Sequence, residues 1–188
     1  WPKAGLTGFE LEGKKLGVIG LGRIGGTVAR KANALGMDVA AYDPFLPPSA
    51  AGHGSVPLKT LDELLAWADV VTLHIPRTKD TTHLLNADTL ARMKRGAYLV
   101  NAARGGLVDE TALLDALDSG QLAGAALDTF ATEPLPADSP LRTHPSLVLT
   151  PHLGASTGEA QQAVSTILAR QVLDYFATGA VAGCVNLP

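Results

Sequence analysis

The chain has 188 residues, 46% of them hydrophobic and 18% charged, with a net charge of −3. That is enough apolar material for one compact core, and neither the charge nor any Lys/Arg run offers a field for nucleic acid or an anionic membrane. The single cysteine, Cys184, excludes an internal disulfide framework and suits a reducing cytoplasm; no apolar stretch is long enough to span a bilayer without charges, and no signal-peptide pattern opens the sequence.

Residues 1–13 read as an arm, and a chain whose first residue is Trp1 is expected to be a piece of a longer protein. The apolar run LGVIG follows at 16–20, and similar runs recur as DVAAY (38–42), VVTLH (70–74), AYLVN (97–101), AGAALD (123–128) and LVLT (147–150). Each is short, continuous and bounded by turn residues, as strands buried on both faces are. Helical patterns with readable ends lie between them. Thr60 and Glu63 form a capping box ahead of LLAWA, Asn86 opens a helix that stops near Gly96, and Asp109 opens ETALLDALDS, stopped at Gly120. The stretch 44–57, rich in Pro, Gly and Ser, reads as a loop. Ser156 and Glu159 predict a second capping box, from which Val164, Ile167, Leu168, Val172, Tyr175 and Phe176 recur at helical spacing up to Gly179. Residues 180–188 read as a closing arm. Strands alternating with helices predict an α/β fold, a doubly wound parallel sheet with helices on both faces.

Directly after the first strand comes G-L-G-R-I-G, with glycines at 20, 22 and 25 leading into an apolar-periodic helix. Gly20 permits the tight turn, Gly22 lets the backbone approach a pyrophosphate, and Gly25 lets helix and strand pack closely. The helix N-terminus then offers free N–H groups to the phosphates. A glycine motif alone is a weak sign, but the next strand runs into Asp43, where a carboxylate accepts from ribose hydroxyls. The pattern predicts a Rossmann-type dinucleotide site. Because an acid at position 43 repels a 2′-phosphate, NAD is expected over NADP. His74, after the third strand, is either a strand-end histidine with a satisfied backbone bond or a shaper of the cofactor site. Ile75 and Pro76 are rigid and apolar and suit the adenine face.

Three polar residues follow carboxyl ends of strands, where open α/β sheets place their ligands: Arg104, Glu133 and His152. A guanidinium grips a carboxylate bidentately, an imidazole exchanges a proton near neutral pH, and a carboxylate orients that imidazole. Asp128 either caps the turn after the fifth strand or accepts a hydrogen bond from a nicotinamide carboxamide. His53 and His144 read as plain loop histidines, and no metal is expected.

At these residues the sequence resembles the D-isomer-specific 2-hydroxyacid dehydrogenases over almost its whole length, through GKKLGVIGLGRIG, NAARGGLVDE, GAALDTFATEP and TPHLGAST. Within the family, HLGASTGEAQ and AARGGLVDETALLDAL look most like the branch that oxidises 3-phosphoglycerate to 3-phosphohydroxypyruvate in serine biosynthesis. The alternatives are a lactate, glycerate or glyoxylate type of enzyme, or an NAD-binding corepressor-like regulator. The resemblance places Arg104, Glu133 and His152 on the catalytic arginine, glutamate and histidine. Gly20, Gly22, Arg23, Ile24, Gly25 and Asp43 fall on the NAD fingerprint, and Ala102, Ala103 and Asp128 on positions lining the nicotinamide; Gly154 is counted with the cofactor-binding positions. Formate dehydrogenases carry glutamine where this chain has Glu133, and NADP-preferring reductases usually place a basic residue near Asp43. The resemblance also implies that residues 1–188 are an NAD-binding domain whose ends join a substrate domain absent from this chain. The isolated piece is then expected to be a poor enzyme, and its long last helix to expose apolar surface to a homodimer or higher assembly.

Overall fold

Apolar runs of four to six residues must be covered on both faces, and parallel pairing under crossover helices supplies that cover. The computed structural model of the protein describes residues 8–46 and 56–182; the expected arms and loop at 1–7, 47–55 and 183–188, with His53 and Cys184, lie outside the described residues. Six strands, β1 (Lys15–Ile19), β2 (Asp38–Tyr42), β3 (Val70–Leu73), β4 (Ala97–Asn101), β5 (Leu122–Leu127) and β6 (Leu147–Leu149), form one sheet in the order β2-β1-β3-β4-β5-β6. Every pairing is parallel. Helices α1 (Arg23–Ala34), α2 (Leu61–Trp67), α3 (Ala87–Ala91) and α4 (Glu110–Asp118) connect successive strands, a 3₁₀ turn (Pro140–Thr143) precedes β6, and α5 (Gly158–Thr178) ends the described chain. The chain divides into two compact units between His152 and Leu153.

Side-chain alternation along the strands sorts the first unit's core into two layers. Leu16 and Val18 of β1 and Val39 and Ala41 of β2 pack with Ala29 and Ala32 of α1. Ile19 and Ala40 point the other way, into a larger cluster with Leu64 and Leu65 of α2, Leu90 of α3 and Leu113 of α4. Helices therefore cover both faces, as expected. The caps are as read: Thr60 and Glu63 bond reciprocally, Asn86 accepts from Asp88 and Thr89, and Asp109 accepts from Thr111 and Ala112. Each such cap is worth about 1 kcal/mol.

Just past the loop read at 44–57 the chain touches the sheet: Lys59 N–H donates to Ala41 O at 2.8 Å and Ala41 N–H to Pro57 O at 2.9 Å, making a parallel bridge at Leu58 beside β2. A single bridging residue has no periodicity for a sequence to display. The cap of α5 is Thr157, whose hydroxyl accepts from Ala160 N–H, in place of the Ser156–Glu159 box. His144 lies in the loop before β6, as read, and its ring meets Asp118 at 3.3 Å and accepts from Ser146 N–H at 3.2 Å. Helix α5 has no buried residue, and Val164, Ile167, Leu168, Val172, Tyr175 and Phe176 are all exposed.

Thr129, two residues past β5, is 2% exposed, and among the described residues its hydroxyl oxygen has no hydrogen-bond partner. A buried hydroxyl without a partner costs about 1–3 kcal/mol of desolvation that a methyl group of the same shape avoids. Thr129→Val should therefore raise the free energy of unfolding by about 1 kcal/mol, read as a higher urea midpoint at unchanged slope; an equal or lower midpoint would show that the hydroxyl is satisfied.

Candidate active site

Parallel strands deliver all their following loops to one edge, and the chain order reverses between β1 and β3, which opens a crevice there. The glycine loop enters it after β1. Gly20 has φ +91°, and a Cβ on it would stand 2.6 Å from Ile75 Cγ2 and 2.7 Å from the His74 carbonyl oxygen. A Cβ on Gly25 would stand 1.9 Å from the Gly20 carbonyl oxygen, so the turn of α1 closes directly onto the loop. Gly22 differs from both. It caps α1 with ordinary extended φ and ψ, and a Cβ there would meet nothing within 4 Å. Among the described residues no atom requires a glycine at 22, and the bare backbone it leaves faces open space. Helix α1 has neither a side-chain cap nor an acid in its first turn, so its first N–H groups and their positive dipole end are available to an anion. Arg23 and Ile24 of that turn are exposed.

Asp43 stands where the spacing placed it, beside this loop. Its Oδ2 accepts from Leu21 N–H at 2.9 Å and its Oδ1 from Phe45 N–H at 3.1 Å. The carboxylate thus also fixes the loop, a role that spacing alone did not reveal. His74 has the satisfied backbone bond expected of it, N–H to Ile19 O at 2.7 Å, and its Nε2 lies 3.1 Å from Thr72 Oγ1. Burial lowers the pKa of its imidazole and so favours the neutral form. Ile75 is half-buried against Gly20, with Pro76 exposed beside it.

Arg104 is exposed on the ledge after β4, its Nη1 donating to the Ala103 carbonyl at 2.6 Å. Among the described residues no carboxylate pairs with it. The ledge is held by Asn101, which is 2% exposed: its Oδ1 accepts from Ala103 N–H at 3.1 Å, and its Nδ2 donates to the Arg104 carbonyl at 3.0 Å. Asn101 was not singled out in the sequence, where it reads only as the end of an apolar run. Ala102 is exposed and Ala103 half-buried.

Glu133 and His152 are brought together. His152 Nδ1 lies 2.8 Å from Glu133 Oε2, while Glu133 Oε1 accepts from Phe130 N–H at 3.0 Å. The hydrogen bond from His152, then that from Phe130, holds the Glu133 carboxyl below its ordinary pKa, against the opposing effects of desolvation and, less, of the Asp128 charge. Stability from these contacts is present above the ordinary carboxylate pKa and is lost as pH falls through the lowered folded value. His152 sits at φ +54°, in the left-handed region that costs a residue with a Cβ about 1 kcal/mol or more. Such strain collects where a side chain has to be aimed. The pair lines a cavity of about 690 Å³ together with Phe130, Leu135, Leu149 and Pro151. Asp128 is buried and accepts from the Thr150 hydroxyl, a partner the sequence did not suggest. Gly154 belongs to the second unit.

Residues 1–154 match the family described as D-isomer specific 2-hydroxyacid dehydrogenase, NAD binding domain. The chain belongs to this family. Over all of its 188 residues it is 48% identical to D-3-phosphoglycerate dehydrogenase of Bacillus subtilis (strain 168), covering 36% of that protein. It thus spans about a third of the length of the curated relatives it matches. Among solved structures it superposes on the TT0316 protein of Thermus thermophilus with a TM-score of 0.85 at 42% identity, covering 94% of this chain and 55% of that one. The NAD-complexed D-isomer specific 2-hydroxyacid dehydrogenase of Lactobacillus delbrueckii ssp. bulgaricus matches with a TM-score of 0.87 at 34% identity, over 99% of this chain and 60% of that one. NAD is the cofactor of this dehydrogenase domain, and the open backbone at Gly22 with the uncapped N-terminus of α1 fits it.

The three glycines should separate on substitution. Gly25→Ala forces a Cβ into a carbonyl and should cost about 3 kcal/mol of stability or more. Gly22→Ala should change stability by less than about 1 kcal/mol while weakening NAD binding in a calorimetric titration. Equal losses of stability in the two variants would refute this division.

Proposed function

We propose that the protein catalyses the reversible NAD-dependent oxidation of a D-2-hydroxyacid, and that its acid is 3-phosphoglycerate, oxidised to 3-phosphohydroxypyruvate on the way to serine. The observation that carries the chemistry is the hydrogen bond between Glu133 and His152. With Nδ1 turned to the carboxylate, the other ring nitrogen is left to take the substrate's hydroxyl proton in oxidation and to return it in reduction. Glu133 fixes the ring and favours its charged form. Arg104, exposed and without a carboxylate partner among the described residues, grips the substrate's carboxylate. The phosphoglycerate assignment is supported by whole-chain identity of 46–48% to several proteins of that name.

NAD, when bound, supplies the hydride acceptor. In this reading Gly20, Gly22, Arg23, Ile24 and Gly25 hold its pyrophosphate, Asp43 its adenosine ribose, and Ile75 and Pro76 its adenine. Ala102, Ala103, Asp128 and Gly154 line the nicotinamide end. The protein works in the cytoplasm, in keeping with one cysteine in 188 residues, and as a homodimer or larger assembly, in keeping with the exposed apolar side chains of α5.

In the full-length protein His152→Ala should lower kcat by roughly 10²- to 10⁴-fold with little change in NAD affinity, and Glu133→Gln should alter the pH profile through the same imidazole. Oxidation with NAD should be faster on 3-phosphoglycerate than on D-lactate or glycolate. Wild-type kcat in both variants would overturn the acid–base assignment, and preference for another acid the substrate.

The unmodified chain should bind NAD more tightly than NADP, because on this reading Asp43 serves the adenosine ribose and its carboxylate would repel a 2′-phosphate. Asp43→Ala should narrow the difference, and it should also loosen the glycine loop, because the Leu21 N–H loses its acceptor. Calorimetry giving equal or tighter NADP binding to the unmodified chain would contradict this role.

A further inference from the structure

The loops that follow β4 and β5 are tied to each other as well as to the sheet. On the β4 side Gly105 lies so close to the Phe130 peptide that a Cβ on it would stand 1.7 Å from the Phe130 carbonyl oxygen. On the β5 side the Ala131 N–H donates to Oε1 of Glu110, the first residue of α4, at 2.7 Å. One peptide earlier, the Phe130 N–H donates to Glu133, whose other oxygen meets His152. Two successive N–H groups of one turn are therefore claimed by two carboxylates. One belongs to the helix that continues the Arg104 ledge, and the other orients the imidazole.

We infer that Glu110 is a positioning residue for the Glu133–His152 pair, acting through the Ala131 N–H. The inference rests on the acid–base reading of that pair. With Glu110 in place, a charge-assisted bond fixes the 130–131 segment from outside, and Glu133 has only to hold the ring. Without it, the Glu133–Phe130 bond must order the turn as well, and the conformational entropy of the turn weighs against the geometry of the pair. The glycine at 105 completes the clamp, because only a residue without Cβ lets the ledge lie flat on the Phe130 peptide. The lowered pKa of Glu133, set first by His152 and then by Phe130 N–H, with the Asp128 charge opposing, gives a readout of how well the turn is held.

A second role for Glu110 is separable. As an acid in the first turn of α4 it also favours the helix dipole. Glu110→Gln removes that charge but keeps an oxygen for the Ala131 N–H, whereas Glu110→Ala removes both. The experiment follows the Glu133 carboxyl by ¹³C NMR titration, and the Ala131 amide by hydrogen exchange, in the 188-residue chain and both variants. In Glu110→Ala the Glu133 pKa should rise toward its ordinary value and Ala131 should exchange about tenfold faster. In Glu110→Gln both should stay near wild type. Unchanged values in the alanine variant, or equal shifts in the two variants, would overturn the inference. Should the alanine variant fail to fold, the wild-type chain decides: Ala131 exchange, corrected for intrinsic rate, must be protected, and an unprotected amide refutes the bond.

Activity keeps the two readings apart. In the full-length protein Glu110→Ala should lower kcat on the order of ten- to a hundredfold at unchanged KM for NAD, with Glu110→Gln restoring it. His152→Ala without effect would remove the acid–base reading itself. His152→Ala inactive beside a fully active Glu110→Ala would remove only the positioning role.

Discussion

All six strands run in the same direction, so every strand-to-helix loop of the sheet emerges at one edge. Gly20, Asp43, His74, Arg104 and Asp128 are scattered over more than a hundred positions of sequence, and this one constraint brings them to the same rim. Parallel pairing also demands a long crossover between neighbours, and the crossover helices are what bury both faces of the sheet. The two layers of core that follow leave the rim as the place where short loops carry polar groups. Chemistry gathers there because backbone groups and side chains at strand ends have no sheet partner on the far side.

Much of this was legible in the sequence because the signals were local. The six apolar runs mark strands to within one residue at each end, and Thr60, Asn86 and Asp109 cap their helices because a side-chain oxygen two or three residues from an N–H needs no tertiary partner. What escaped was set by distance in sequence. Asn101 holds the Arg104 ledge with both ends of its carboxamide, yet in the chain it is only the polar end of an apolar run. Thr150 reaching Asp128 and Glu110 reaching Ala131 join residues about twenty positions apart, and no spacing rule encodes such pairs. The bridge at Leu58 is one residue long and lies next to a proline, so strand periodicity had nothing to register.

The glycines illustrate how fold and ligand make different demands on the same motif. At 20 and 25 the absent Cβ is required by neighbouring protein atoms, and at 105 by the Phe130 carbonyl. At 22 no neighbouring atom makes the demand, and the backbone is in a conformation open to any residue. A motif that looks uniform in sequence is therefore two packing glycines and one that clears space for something outside the chain.

Electrostatics divide the rim in a similar way. Asp43 and Glu133 each accept a backbone N–H with one oxygen, and each has its second oxygen on a further group of the fold, so neither carboxylate is a free charge waiting for a partner. Arg104 is the contrast, for among the described residues its guanidinium donates only to the carbonyl of the preceding residue, and it is exposed. In water a guanidinium and a carboxylate 4 Å apart attract by only about 1 kcal/mol, against roughly 4 kcal/mol at the lower dielectric of a partly closed protein surface. His152 and Glu133 are likewise 48% and 37% exposed at their side chains. On the proposed reading, this domain sets direction and proton-transfer geometry, while a strong grip on the substrate requires that water be excluded from Arg104. The rigid elements, from Asn101 under the ledge to the paired carboxylates around Phe130 and Ala131, are accordingly those that fix orientation, which a covering surface cannot supply.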